Sequence, residues 1–194
     1  MKILFKIMAI ITCTLACVTI IVITESRFNN FEEIPVASYT PIPTTPVTQA
    51  IPLMLSIDSL EVHAPIEPVG VVDGAMGAPA TADVVSWYQP GTIPGDPGSA
   101  VIAGHVNWNK GQDAIFAKLH TLEIGDILYV TDSHGNRDYF IVTKIKQYKL
   151  DANTTEVFSS DDGLAHLNLI TCIGVWNPEK KTRESRLVVF TDKI

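Results

Sequence analysis

The chain of 194 residues is 46% hydrophobic and only 18% charged, with a mean hydropathy of +0.22. Soluble domains carry about 25% charged residues, so one part of the chain must be unusually apolar. That part is residues 1–24, whose only charges are Lys2 and Lys6; the remainder has ordinary globular composition, which excludes a polytopic membrane protein. A formal charge of -7, with basic residues scattered and no basic run longer than Lys180-Lys181, speaks against a nucleic-acid partner, because phosphate binding needs clustered cations.

Ile7 to Thr24 is a run of 18 uncharged residues. At about 1.5 Å per residue a helix there reaches roughly 27 Å, enough to cross a hydrocarbon core. Lys2 and Lys6 precede it while Glu25, Glu32 and Glu33 follow, which places the short N-terminus in the cytoplasm and the rest outside. A cleaved signal peptide would have a shorter apolar core and a small-x-small site after it, and none follows Ile20-Ile21-Val22-Ile23. Leu15-Ala16-Cys17 has lipobox flavour, but the apolar run continues past the cysteine. The reading is an uncleaved signal anchor over residues 1–24 and a single-pass location in the cell membrane.

Glu25 to Pro52 carries Pro35, Pro41, Pro43, Pro46 and Pro52 among Ser and Thr, so it reads as an extended linker. At about 3.1 Å per residue in polyproline geometry it spans at most roughly 85 Å. Cys13 and Cys17 fall in the predicted anchor, which leaves Cys172 as the lone cysteine of the external domain. No disulfide can form within that domain, and Cys172 is either an inert core residue or a reactive group.

Residues 53–194 are long enough to bury a core without a disulfide. Short runs rich in Val, Ile, Leu, Phe and Tyr recur between Gly, Pro and Asp: 54–57, 61–65, 69–72, 99–103, 127–131, 138–148, 166–172 and 186–191. Eight strands and two short helices, 114–122 and 154–158, predict a mostly β, closed or nearly closed barrel.

Catalysis by a cysteine needs a thiolate, a proton donor for the leaving group and a holder for the oxyanion. Cys172 ends the apolar run Leu167-Asn168-Leu169-Ile170-Thr171 and is expected to enter a loop, Ile173 to Ser185. Of the histidines, His134 and His120 read as solvated, and His63 and His166 read as half-buried structural residues within strands. His105 follows the strand Ala100-Val101-Ile102-Ala103 through Gly104 and precedes the Trp-bearing loop Asn107-Trp108-Asn109, so it stands beside an opening. Arg186 opens the last predicted strand, and Arg183 lies in the polar stretch Glu179 to Glu184, where solvation is expected. From the residues alone, each of Cys172, His105 and Arg186 has a structural reading as well as a catalytic one.

Ser-Ala-Val-Ile-Ala-Gly-His-Val around His105, Asn-Leu-Ile-Thr-Cys ending at Cys172 and Arg-Leu-Val-Val from Arg186 resemble, in order and spacing, the three signature positions of bacterial sortases. The resemblance covers 53–194 and extends to Ala64-Pro65-Ile66, Asp73-Gly74-Ala75-Met76, Val85-Ser86-Trp87-Tyr88 and Pro94-Gly95-Asp96-Pro97-Gly98-Ser99-Ala100, which look most like class F. Asn168 stands where the family's Thr-Leu-x-Thr-Cys motif has its first Thr. The resemblance implies an eight-stranded sortase barrel whose Cys172 attacks a Leu-Pro-x-Thr-Gly-like sorting motif, with His105 as general acid and base and Arg186 as stabiliser of the oxyanion or substrate. It implies surface proteins with a C-terminal sorting signal as donors, a peptidoglycan precursor or pilin lysine as amine acceptor, and no metal or other cofactor.

Two other classes stand beside this one. An inactive binding module of the cell wall would keep the barrel and lose the three residues. An L,D-transpeptidase would carry a Ser-His-Gly-x-x-Gly-Cys-like pattern, whereas Leu-Ile-Thr precedes Cys172. The acidic residues Asp73, Asp113, Glu123 and Asp126 show no ligand-like spacing for calcium and read as solvated.

Overall fold

The computed structural model describes residues 49–194; the predicted anchor and residues 25–48 of the predicted linker lie outside them. The described strands are β1 (Pro52–Ile57), β2 (Val62–Val69), β3 (Val71–Val72), β4 (Ala75–Met76), β5 (Val85–Tyr88), β6 (Gly98–Ala103), β7 (Asn107–Trp108), β8 (Gln112–Asp113), β9 (Ile127–Asp132), β10 (Arg137–Lys149), β11 (Ala165–Asn177) and β12 (Thr182–Lys193). Eight of them close a barrel in the order β1-β2-β5-β6-β11-β12-β10-β9. β3 with β4, and β7 with β8, form two-stranded ribbons of their own. Among the described residues no helix is long and apolar enough to cross a membrane.

The alternation of strand residues sorts two apolar layers. Leu55, Ile57, Ile102, Leu128, Phe140, Leu167 and Leu169 belong to the cluster that fills the barrel, because successive side chains on a strand point to opposite faces. On the outer face a second cluster gathers Val101, Tyr148, Val157, Val188 and Phe190. The one short α-helix among the described residues, α1 (Thr155–Phe158), contributes Val157 to this outer layer. β11 and β12 therefore have apolar neighbours on both faces, which suits the apolar centre of β12, Leu187 to Phe190, and the largely apolar middle of β11.

Several boundaries differ from the sequence reading, each for a local reason. The predicted strands 61–65 and 69–72 leave 66–68 between them, but β2 is continuous through both Pro65 and Pro68. Its first half pairs with β1 and its second half with β5, so each proline can turn the side that lacks an N–H away from the ladder. Residues 71–72 leave the barrel as β3, with Val71 and Val72 58% and 60% exposed. The eighth barrel strand is instead β5, a four-residue segment whose fully buried Ser86 satisfies its hydroxyl on the Gly77 carbonyl at 3.3 Å. The predicted helix at 114–122 is a series of turns ending in one 3-10 turn, Leu119–Thr121. The helix predicted at 154–158 is α1.

The largest correction concerns the end of β11. Cys172 was expected to terminate its strand and Arg186 to begin the next, but β11 continues to Asn177 and β12 starts at Thr182. A bulge between Ile173 and Trp176 absorbs the irregularity; Gly174 there has φ +88°, a conformation that suits glycine. The expected loop Ile173 to Ser185 is mostly this projecting ribbon, closed by a short turn at Pro178 to Lys181.

Candidate active site

β11 lies between β6 and β12, and register brings the three predicted site residues to one level. β11 runs parallel to β6, the last matched pair being Ile170 with Ala103. Cys172 and His105 each lie two residues beyond that pair. On the other side Cys172 is the direct antiparallel partner of Arg186, a relation that places two side chains on the same face with Cβ atoms about 4.5–5.5 Å apart. Leu169 and Thr171 are buried, and Leu169 belongs to the barrel cluster; strand alternation then turns Ile170 and Cys172 to the outer face.

That outer face opens into a cleft of about 1020 Å³, and His105, Cys172 and Arg186 all line it. Its walls come from α1, from the segment Ala75–Pro79, from the loop after β6 and from the projecting end of the β11–β12 ribbon. Cys172 is free and half-buried. The cleft residues include Lys149, Lys181, Arg183 and Arg186 but no carboxylate. The ion pairs of Lys144, Lys146 and Lys193 involve none of these four cations. A protein of net charge -7 thus lines the cleft that holds Cys172 with cationic side chains, a setting that suits a developing oxyanion.

His105 is held from several directions. Its Nε2 lies 2.9 Å from the Pro79 carbonyl; a carbonyl can only accept, so Nε2 carries the proton and Nδ1 is the atom left to exchange one. The ring packs against Trp108 with centroids 4.8 Å apart, and the His105 carbonyl accepts from Phe116 N at 2.9 Å. Gly104, just before it, has no room for a side chain: a Cβ there would stand 2.4 Å from the Phe116 ring. The Gly104 backbone is gripped by β11, its N–H donating to the Ile170 carbonyl at 3.0 Å and its carbonyl accepting from Thr171 Oγ1 at 2.8 Å.

Arg186 is folded back along its own strand. Its Nη1 donates to the carbonyls of Arg183 and Ser185, each at 3.2 Å, and its Nη2 donates to Thr182 Oγ1 at 2.9 Å. These neutral partners fix the guanidinium without cancelling its charge. Arg183, expected in solvent, is half-buried and lines the cleft. Its Nη1 donates to the Gly174 carbonyl at 2.5 Å, and its Nε and Nη2 donate to Asn107 Oδ1 at 3.3 and 3.2 Å. The bulge after Cys172 brings this side chain in, and nothing in the polar stretch Glu179 to Glu184 signals a bulge.

The other histidines stand apart from these contacts. His166 lies near the start of β11, with Nδ1 2.7 Å from Asp192 and Nε2 3.0 Å from Asp162. His63 Nδ1 bonds Ser56 at 3.2 Å, and His120 Nδ1 bonds the Ala117 carbonyl at 3.1 Å. His63, His120, His134 and His166 are not among the residues lining the cleft. Asp73, Asp113 and Glu123 are exposed, and no group of three His, Cys, Asp or Glu side chains among the described residues could hold a metal ion.

Asn168, where the resemblance expects Thr, is buried with its Nδ2 donating to the Val157 carbonyl of α1 at 2.7 Å. A second tie to α1 comes from β10: Glu156 accepts from Lys144 Nζ at 2.8 Å, Lys146 Nζ at 2.6 Å and the Tyr148 hydroxyl. Pro79, Asn107, Thr182 and Glu156 were not singled out from sequence. Only the position of Asn107 two residues after His105 could have drawn attention to any of them.

A family model described as the sortase domain matches residues 55–194. The chain belongs to the sortase family. Solved sortase structures resemble it at low identity. The pilus-related sortase C of Group B Streptococcus is 20% identical with TM-score 0.58, the match covering 76% of this chain and 69% of that one. A sortase D5 transpeptidase of Clostridium perfringens is 18% identical with TM-score 0.56, covering 75% and 79%. A lid mutant of sortase A from Corynebacterium diphtheriae is 20% identical with TM-score 0.57, covering 76% and 73%. Direct sequence comparison with curated proteins gives no match. The mostly β, closed eight-stranded architecture read from the sequence is the sortase fold, and the family assignment supports a cysteine transpeptidase.

Proposed function

We propose that this sortase is a membrane-anchored transpeptidase, with Cys172 as nucleophile, His105 as general acid and base and Arg186 as stabiliser of the developing charge. The carrying observation is that His105 from the loop after β6, Cys172 from β11 and Arg186 from β12 line one cleft of about 1020 Å³. Its substrate is a protein bearing a Leu-Pro-x-Thr-Gly-like sorting motif. Cys172 passes its thiol proton to His105 Nδ1, its Sγ attacks the carbonyl carbon of the Thr, and the carbonyl oxygen takes the electron pair as an oxyanion beside Arg186. The C–N bond then breaks, the leaving amine takes a proton from His105 Nδ1, and the acyl chain remains as a thioester on Cys172. An incoming amine of the cell wall or of a pilin gives a proton to His105, attacks the thioester and releases the thiolate.

The apolar segment 7–24 and the Pro-rich stretch after it support anchoring with the catalytic domain outside the cell. The segments 73–76, 85–88 and 94–100 support class F. The reaction as proposed uses no metal. Incubating the domain with a Leu-Pro-x-Thr peptide that carries a good leaving group tests the reading by intact-protein mass spectrometry. A mass increase equal to the acyl fragment, located on Cys172 and absent from Cys172→Ala, is expected; an unmodified wild type sinks the proposal.

A further inference from the structure

Two sets of contacts join the strand that carries Cys172 to the loop that carries His105, one on each side of the pair. Before them, the Ile170 carbonyl and the Thr171 hydroxyl hold the Gly104 backbone at 3.0 and 2.8 Å. After them, Arg183 spans from the Gly174 carbonyl, two residues past Cys172, to Asn107 Oδ1, two residues past His105. The first set is part of the barrel wall. The second rests on one side chain, because β7, which holds Asn107, pairs with β8 and lies outside the barrel.

We propose that Arg183 is a positioning residue that sets the placement of the His105 imidazole relative to the Cys172 thiol by bridging the Gly174 carbonyl and the Asn107 side chain. The choice of residue follows from geometry. A guanidinium presents donors in a rigid planar fork, so Nη1 reaches one partner while Nε and Nη2 converge on the other. An ammonium on a flexible stem can serve one of these partners at a time. The backbone it holds also needs holding: Gly174 sits at positive φ within a bulge, where ladder hydrogen bonds are interrupted. Trp176, the cross-strand partner of Arg183, is 52% exposed, so packing does little to fix the ribbon there. A small displacement of either member of a nucleophile–acid pair lowers the rate steeply without altering how peptide binds elsewhere in the cleft.

This inference rests on the Cys172–His105 pair of the proposed function, so its test begins with a reaction that needs no sorting peptide. Iodoacetamide alkylates Cys172 Sγ with loss of iodide, and its pH dependence is compared in wild type, His105→Ala, Arg183→Ala, Arg183→Lys and Asn107→Ala, with thermal unfolding as the control for folding. Wild type and His105→Ala should differ, since the imidazole alters the thiol beside it, and Arg183→Ala should move toward the His105→Ala profile. With a fluorogenic sorting peptide, Arg183→Ala should lose on the order of tenfold to hundredfold in kcat with KM within about twofold. Arg183→Lys should recover less than a third of the loss, and Asn107→Ala combined with Arg183→Ala should be no worse than Arg183→Ala alone. An Arg183→Ala profile that superimposes on wild type overturns the proposal, as does full rescue by Lys, which would make charge alone the requirement. Coincident wild-type and His105→Ala profiles overturn it together with the pair it depends on. A peptide that forms no thioester while the alkylation profiles behave as expected removes the sortase substrate and leaves the positioning role standing. Should Arg183→Ala fail to fold, Arg183→Lys and Asn107→Ala still decide, since either one behaving as wild type in both assays is the overturning result.

Discussion

Leu167, Leu169 and Thr171 alternate along β11 with Asn168, Ile170 and Cys172, and the two sets meet different surroundings. The first set is buried on one face, its single polar group answered by a backbone carbonyl. The second shares its face with Tyr148, Val157 and Val188 and then opens into a cationic cleft. One strand thus serves as barrel wall and as platform for chemistry, and the period of two keeps the roles apart. Substitutions on the inner face should act on stability, and substitutions on the outer face beyond Ile170 should act on rate.

Cys172→Ala carries the largest expected effect. It should abolish thioester formation while changing the unfolding temperature little, because Cys172 is half-buried at the edge of the outer layer. Cys172→Ser should be nearly as inactive, since a hydroxyl without a strong base is far less ionised than a thiol. Loss of folding in either variant would break the division between the two faces. Arg186→Ala should follow at about 10² to 10³ in kcat, the range for loss of one preorganised donor, with Arg186→Lys recovering little. Steady-state cleavage of a sorting peptide reads both variants; losses within tenfold would take the oxyanion role from Arg186.

The inner face should behave in the opposite way. Leu169 is fully buried in the barrel cluster, so Leu169→Ala should lower stability by about 2–5 kcal/mol and leave the activity of the folded fraction close to wild type. Denaturant titration and kinetics well below the midpoint separate the two. Gly104 lies between the faces, with its backbone bonded to β11 and the Phe116 ring against its α-carbon. Gly104→Ala should cost about 1–3 kcal/mol through overpacking and should also lower kcat, because displacing Phe116 disturbs its hydrogen bond to the His105 carbonyl. A stable, fully active Gly104→Ala protein would show that the ring can move aside without moving the histidine.

How much of this was legible follows from the range of each interaction. The apolar runs of β6, β9, β10 and β12 announce strands because their residues carry the pattern themselves. β5 was missed as a strand since its middle residue is a buried serine satisfied by Gly77, a partner nine positions away. β2 is longer than the run 61–65 suggests, because whether a strand can continue through Pro65 and Pro68 depends on which side is left unpaired, and that is set by the whole barrel order. Cys172, His105 and Arg186 were singled out from sequence, but their common cleft rests on register between β6, β11 and β12, to which no single segment points. Arg183 was misjudged for the same reason. Its local company is polar and charged, and only the bulge at Gly174 brings it to Asn107.

The smallest expected effects concern pH, and they contrast the two ends of the α1–β11 connection. At one end Lys144, Lys146 and Tyr148 hold the Glu156 carboxyl down to about 2 from an ordinary value of 4.5. A carboxyl depressed in the folded state stabilises above its unfolded value, and the contribution is lost as pH falls from about 4.5 toward 2. At the other end burial disfavours charge on His166, but hydrogen bonds to Asp162 and Asp192 outweigh it and raise the imidazole above its ordinary 6.5. A raised histidine stabilises fully below that unfolded value, and its contribution disappears as pH climbs through the folded value above 6.5. The two ends therefore fail in opposite directions. In thermal unfolding followed across pH, Glu156→Gln should flatten the acid decline, and His166→Asn should flatten the decline on the alkaline side of 6.5. Both shifts should be small, because Glu156 is solvent-exposed and its ion pairs are screened. Alkaline behaviour unchanged by His166→Asn would mean that the imidazole is not charged between its two aspartates, and acid behaviour unchanged by Glu156→Gln would mean that α1 is held in place by the packing of Val157 and the hydrogen bond from Asn168 of β11 rather than by β10.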